Sequence, residues 1–186
     1  MHDRTQIPWG ERSGGHVTML PGTPYRHEHV DGAWVMRSVS PSIEAITGFS
    51  REEFICAGGR CYYSIIHPED LPAVAALFQD ALARREPYAI EYRLIHADGS
   101  TRWVQGHGQG VYDNDGVVRY VDGVLFDVTA RRSSEERLAH LALHDPLTDL
   151  PNRALFQEHL AVAVANAERS GSGGAVLFID LDASSW

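Results

Sequence analysis

The chain has 186 residues, 44% of them hydrophobic, and a formal net charge of −9, so a packed core is within reach and global disorder is not expected. The acidic balance argues against a nucleic-acid or anionic-membrane surface, which wants clustered Lys and Arg. No apolar run approaches the ~20 residues of a membrane span, Met1–Gly15 has no signal-peptide h-region, and Cys56 and Cys61 are too few for a disulfide framework; a cytoplasmic setting is expected.

Residues 1–16 carry Gly, Pro and charge without a period and read as a flexible leader. A first strand is expected within His16–His29, interrupted by Pro21-Gly22 and Pro24, and a second over Ala33–Val39, joined by the turn Asp31-Gly32. Ser40-Pro41-Ser42 precedes Ile43 and Ile46, and a Ser hydroxyl there can accept an orphan backbone N–H, so a short helix ending at Gly48 is predicted. Ser50 and Glu53 repeat the pattern with capping-box spacing. Pro68-Glu69-Asp70 opens the clearest helix, in which Leu71, Val74, Ala75, Phe78, Ala81 and Leu82 recur on one face until Glu86-Pro87.

Three strands follow. Tyr88, Ile90, Tyr92 and Leu94 alternate with mostly polar neighbours, Ala97-Asp98-Gly99-Ser100 turns the chain, and Thr101 to Tyr112 alternates again. After the loop Asp113-Asn114-Asp115-Gly116, Val117 to Phe126 is apolar on both sides and therefore expected at the centre of the sheet. The order strand, strand, short helices, long helix, three strands predicts an α+β fold: a five-stranded antiparallel sheet with its helices on one face. Asp127 to Leu143 then turns helical. Pro146 and Pro151 break it, and Asn152 to Arg169 forms an amphipathic helix with Phe156, Leu160, Ala163, Val164 and Ala167 on its apolar side. A Gly/Ser turn leads to a short buried strand, Ala175 to Ile179, ending in Asp180.

Several residues invite a chemical reading. His27 and His29 would hold a metal only with a third ligand, and are read first as exposed strand histidines. Asp113 to Gly116 lacks the twelve-position acidic pattern and closing Glu of a calcium loop, so it is a hairpin turn. Trp103 and Trp34 are read first as core, because large aromatics on strands anchor packing. Gln105 and His107 share a face with Trp103; that stripe faces either a cavity or solvent.

Two families are resembled by these residues. Residues from about 18 to 129 resemble a PAS domain with its PAC region, through Ser40-Pro41-Ser42-Ile43-Glu44, Thr47-Gly48-Phe49-Ser50, Ile66-His67-Pro68-Glu69-Asp70, Glu91-Tyr92-Arg93, Asp98-Gly99-Ser100, Arg102-Trp103-Val104, Asp115-Gly116 and Asp127-Val128-Thr129. Residues 138–182 resemble the start of a GGDEF diguanylate cyclase domain, through His144-Asp145-Pro146-Leu147-Thr148, Leu150-Pro151-Asn152-Arg153 and Phe178-Ile179-Asp180-Leu181-Asp182. Asp149 departs from that family, which often has Gly there. The implied organisation is a leader (1–16), a PAS sensor (17–129), a coupling helix (130–143), a truncated α/β GGDEF start (144–182) and a non-family tail (183–186).

The resemblance implies a cyclic di-GMP signalling protein in which the PAS domain senses a cue or dimerises and the helix relays it. Thr129 or Asp127 can cap that helix, and Leu138 and Leu141 have coiled-coil spacing, though the positions before them are Arg131 and Ser134. A weak seam of this kind implies a homodimer held by its PAS domains. Asp145, Leu147, Thr148, Asn152 and Arg153 form the opening motif of the GGDEF part. In the family a divalent cation and GTP bind near Asp180 and the Leu181 carbonyl, and hard cations do want such oxygens. After Asp182 the sequence reads Ala183-Ser184-Ser185-Trp186. The GGDEF signature with its second carboxylate is absent, so no complete catalytic set and no enzymatic activity are expected.

A PAS cavity would draw on Trp103, Gln105, His107, Tyr92 and Phe78. Its ligand is not named by the sequence. Haem would want a His on the long helix, and residues 71–85 have none. Flavin is disfavoured too: Gly59-Arg60-Cys61 is faintly similar to the reactive-cysteine loop of light-sensing relatives but lacks its Asn and Gln, so Cys61 is read as a small buried apolar residue.

Overall fold

The computed structural model describes residues 22–30, 32–55 and 59–177. The leader, Cys56, and everything from Phe178 onward, including Asp180, Leu181 and the last four residues, lie outside them. The chain divides into two compact units, Met1–Thr129 and Ala130–Trp186.

In the first unit the strands β1 (Thr23–Val30), β2 (Ala33–Val39), β3 (Tyr88–Ile95), β4 (Thr101–Tyr112) and β5 (Val118–Asp127) form one antiparallel sheet in the order β2-β1-β5-β4-β3. The doubly apolar last strand is central, as its composition predicts. Pro24 sits second in β1 rather than breaking it, a position where a missing N–H is tolerated. Helices α1 (Ile43–Thr47), α2 (Arg51–Ile55) and α3 (Leu71–Arg84) and the 3-10 helix Tyr62–Ile65 follow β2. Ile43, Ile46, Phe54, Tyr62, Ile65 and Val74 from these helices pack on Met36, Tyr92, Leu94, Val104 and Leu125 of the sheet, so the helices share one face and the core lies between.

Local chemistry explains the boundaries, with corrections. Gly48 ends α1 in the left-handed region, φ 73°. Ser42 does not cap α1: its backbone is already helical, and its hydroxyl bonds Thr23 Oγ1 at 2.8 Å and Ser40 Oγ at 2.9 Å. Ser50 and Glu53 complete one side of the capping box, the Ser50 N–H donating to Glu53 Oε1 at 3.0 Å. Asp70 leaves the first turn of α3 uncapped and turns to Arg93 of β3, whose Nε and Nη2 donate to its two oxygens at 3.0 and 2.6 Å. This bidentate pair, joined by the Arg93 N–H at 2.8 Å, holds Asp70 below the ordinary carboxylate range and ties the start of α3 to the sheet.

In the second unit α4 continues from Thr129 to Leu143 and α5 spans Arg153–Ser170. Neither helix buries a residue. Leu138, Leu141, Phe156, Val162 and Val164 are exposed, against the expectation of a covered apolar face on α5. Ala175–Leu177, expected to open a strand, have no strand conformation.

Candidate functional site

The site grows from the alternation of β1, β3 and β4. On the helix-facing side of the sheet, Tyr25 of β1 pairs with Gly123 of β5, Gly123 with Gly108 of β4, and Gly108 with Tyr88 of β3. The two glycines leave a trough in which the tyrosines lean towards each other until their hydroxyls meet at 2.6 Å. The trough is obligatory: a Cβ on Gly123 would lie 2.5 Å from the Tyr25 ring, and one on Gly108 2.5 Å from the Tyr88 hydroxyl. A second hydroxyl pair, Tyr62 with Tyr92 at 2.9 Å, joins the 3-10 helix to β3.

Between these pairs and α3 is a cavity of about 30 Å³, more than the ~10–15 Å³ that a single water needs on this measure. Its polar wall is Tyr25, His27, Tyr62, Tyr63, Tyr88 and Tyr92. Val74, Leu77 and Phe78 of α3 close it from above. Burial pushes the phenols up, Tyr88 to about 12 and Tyr25, Tyr62, Tyr63 and Tyr92 further, so all are neutral protein hydroxyls at any physiological pH.

His27 is the residue that sequence reasoning misplaced. It is 5% exposed, not a surface strand histidine. It lies where the β1–β2 register shifts, between Arg26 and His27, and its ring packs 5.0 Å from that of Tyr25 and 6.0 Å from that of Tyr62. Burial without a charged neighbour lowers its pKa to about 4. His29, two residues on, is exposed and packs on Trp34 at 5.0 Å. Among the described residues no group of three or more His, Cys, Asp or Glu is arranged to hold a metal.

Of the expected cavity residues, Tyr92 and Phe78 line it and Trp103, Gln105 and His107 do not. The last three lie on the opposite face of β4 from the buried Val104 and Gly106; His107 is exposed, and Trp103 and Gln105 are half-buried. Alternation separates the two sets but does not say which is covered; the helices decided it. Trp103 is therefore not core. It carries the Arg93 guanidinium 5.8 Å from its ring centre, while His107 packs edge-on to Phe126. Trp34 is half-buried, edge-on to Phe78 at 5.3 Å. Cys61 is exposed, not buried: it precedes the 3-10 helix with an extended backbone and uses its carbonyl to accept from Ser64. A signal for the tyrosine trough was present in the sequence: Gly106, Gly108 and Gly110 alternate on β4, and glycines on one face of a strand mark close approach by neighbours.

The sheet hands over to α4 through three residues. The Val128 N–H donates to the Trp103 carbonyl at 2.9 Å, Thr129 Oγ1 accepts from the Trp103 N–H at 2.9 Å, and Asp127 Oδ1 accepts the Thr129 N–H at 2.8 Å. Of the two residues able to cap α4, Asp127 accepts a first-turn N–H, while the Thr129 hydroxyl is taken by β4. In the second unit, Asp145 Oδ1 accepts from the N–H groups of Leu147 and Thr148 and from the Thr148 hydroxyl, at 2.9 to 3.1 Å. Asn152 Oδ1 caps α5 by accepting from Ala154 and Leu155, and its amide donates to the Ala142 carbonyl at 2.8 Å. Asp145 and Thr148 thereby shape the loop between the two helices and Asn152 joins the helices, whereas Leu147 and Arg153 are exposed. Asp149 takes the left-handed conformation, φ 60°, that explains the family's glycine, and its carboxylate reaches His140 Nε2 at 2.6 Å.

Residues 36–125 match the family model of the PAS fold, and residues 142–183 that of the diguanylate cyclase GGDEF domain. Residues 36–125 are a PAS domain, followed by a GGDEF fragment. The fold of the PAS domain is shared with the N-terminal domain of a diguanylate cyclase with PAS/PAC sensor from Marinobacter aquaeolei, at TM-score 0.52 and 21% identity over 60% of this chain and 98% of that one. In sequence the chain is 39% identical over 160 residues to the probable diguanylate cyclase DgcE of Escherichia coli, covering 82% of this chain and 14% of that protein. It is 36% identical over 146 residues to the uncharacterized protein y4lL of Sinorhizobium fredii, covering 73% of this chain and 17% of that protein. The chain thus spans less than a fifth of the curated relatives it matches. Among the described residues no helix is long and apolar enough to cross a membrane.

Proposed function

We propose that this chain is the sensing and relay part of a cyclic di-GMP signalling protein, in which the PAS domain regulates a diguanylate cyclase domain whose beginning is residues 144–182. The junction at Asp127-Val128-Thr129 carries the reading. Thr129 is both the first residue of α4 and, through its hydroxyl on Trp103, a partner of β4, which supports a signal passing from the sheet into the helix. Helix α4 then runs into the Asp145–Asn152 loop that opens the GGDEF fragment.

The exposed Leu138 and Leu141, with only two apolar positions in the seam, support a parallel homodimer that depends on PAS-to-PAS contact. A weakly paired helix suits a relay, because a few kcal/mol then suffice to shift its register. Mg²⁺ and GTP belong to a complete GGDEF domain, where the Asp180 carboxylate and the Leu181 carbonyl would supply oxygen ligands. The 186 residues contain no Gly-Gly-Asp-Glu-Phe, and one carboxylate does not position two triphosphates. This chain given GTP and Mg²⁺ is therefore expected to make no cyclic di-GMP; turnover abolished by Asp180→Ala would overturn that. The relay is tested by joining residues 1–152 to a complete GGDEF domain and measuring cyclic di-GMP synthesis. Thr129→Val should change kcat several-fold with KM for GTP unchanged, and an unaltered kcat would refute the relay.

A further inference from the structure

We infer that His27 is a proton-binding site at the heart of the PAS domain, and that the cue it registers is acidification: the imidazole is held neutral while the Tyr25–Tyr88 and Tyr62–Tyr92 pairs are closed around it, and its protonation opens that pocket. The inference rests on the sensor reading above and names its cue.

The geometry carries it. His27 is more than nine-tenths buried, it lines the cavity, and neither ring nitrogen has a hydrogen-bond partner among the described residues. Its ring nitrogens border the cavity rather than being sealed in the core, since the fully buried unpartnered side-chain atoms among the described residues are Arg51 Nε and Arg102 Nε. The groups facing it from every packed element are uncharged. Its own strand offers Tyr25, the 3-10 helix Tyr62 and Tyr63, β3 Tyr88 and Tyr92, and α3 only Val74, Leu77 and Phe78. Its partners across the ladder are Met36 on β2 and Val121 on β5. The ion pairs flanking it on its strand, Arg26 with Asp122 and Glu28 with Arg37, lie on the other face of the sheet. Nothing in the closed pocket compensates an imidazolium, so the charged ring is stable only with water around it.

The hydroxyl pairs are what such an opening must break. Each links β3 to another element, Tyr88 to β1 and Tyr92 to the 3-10 helix. The same strand β3 exchanges its ladder with β4, whose Trp103 holds Thr129 at the start of α4. A proton on His27 therefore acts on the strands that hand over to the coupling helix.

Burial displaces the imidazole from 6.5 to about 4, so the ratio of open to closed forms should rise about 20-fold between neutral pH and pH ~5, and about 240-fold in the acid limit. The experiment is hydrogen exchange of the full chain, read at the amides of β1, β3 and the 3-10 helix and corrected for intrinsic pH dependence, together with an NMR titration of the His27 ring. The wild type should show the acid-driven rise and a His27 ring that stays neutral to below pH ~5. His27→Phe, which keeps an aromatic of similar size, should abolish the rise; His27→Gln serves if the Phe variant does not fold. An unchanged acid response in both variants, or a ring that titrates near 6.5 with the pocket still protected, would overturn the inference. Because exchange is read on this chain without any cyclase output, an acid-opened pocket that leaves kcat of the chimera above unmoved would refute the sensor reading while leaving the proton site standing.

Discussion

Two glycines on one face of the sheet should respond oppositely to the same substitution. A Cβ on Gly123 would meet the Tyr25 ring at 2.5 Å and the His107 carbonyl oxygen at 2.6 Å, whereas one on Gly106 would meet only Leu125 at 3.4 Å and Tyr92 at 3.5 Å, ordinary van der Waals distances. Neither glycine has positive φ, so space alone is at issue. Replacing Gly by Ala within a strand is worth about 0.5–1 kcal/mol in conformational entropy, and overpacking a core costs about 1–3 kcal/mol. The backbone carbonyl of His107 cannot swing aside as a side chain would, which puts Gly123→Ala towards the upper figure. The expected outcome is a net loss of about 2 kcal/mol for Gly123→Ala and a change between zero and a gain of about 1 kcal/mol for Gly106→Ala. Native-state hydrogen exchange of the β4 and β5 amides measures this without interference from the second unit. Equal effects of the two substitutions would mean that the tyrosine trough is not closely packed and that the cavity account is wrong.

Asp70 is held below 3.8 by Arg93, so its contribution is present above about pH 4 and is lost as pH falls through its folded value. Asp70→Asn should therefore flatten the lowest-pH part of an acid denaturation curve and leave the pH 4–6.5 part, which belongs to His27, in place; loss of the upper part instead would contradict both assignments. Trp103→Ala, read by urea unfolding of the PAS domain, should cost about 1–2 kcal/mol, less than the ~3–5 kcal/mol of a core aromatic, because the ring is half-exposed on the outer face. Residues 129–186 alone should sediment as a monomer, since α4 offers only Leu138 and Leu141 to a partner; a stable dimer would make the helix a rigid strut rather than a relay.

Much of the PAS domain was legible in the sequence because its signals are local. Gly48 at a left-handed helix end, the Asp98-Gly99 and Asp115-Gly116 turns and the alternation of β3 and β4 each specify backbone geometry within a few residues. The central place of β5 followed from its two apolar faces. Polar residues at the starts of helices were less legible. Ser42 looked like a cap and Asp70 like part of a helix opening, yet each found a partner distant in sequence, Thr23 and Arg93, that local spacing cannot display.

By itself the sequence determined which stretches are strand or helix, where they turn, and that a PAS pattern is followed by the opening of a GGDEF pattern, since periodicity, turn residues and ordered motifs are properties of neighbouring residues. Only the tertiary structure decided which side of each strand is inside. A strand with period two offers two faces, and on β4 Trp103 and His107 look no less able to line a cavity than Val104 does to fill a core. The helices laid over one face settled it. They put Gly108 and Gly123 under the tyrosine hydroxyls and buried His27 among them, leaving Trp103, Gln105 and His107 on the other side. Histidine and tyrosine are amphipathic enough to sit on either side of such a sheet, and their placement is fixed by what packs against them rather than by what precedes them in the chain.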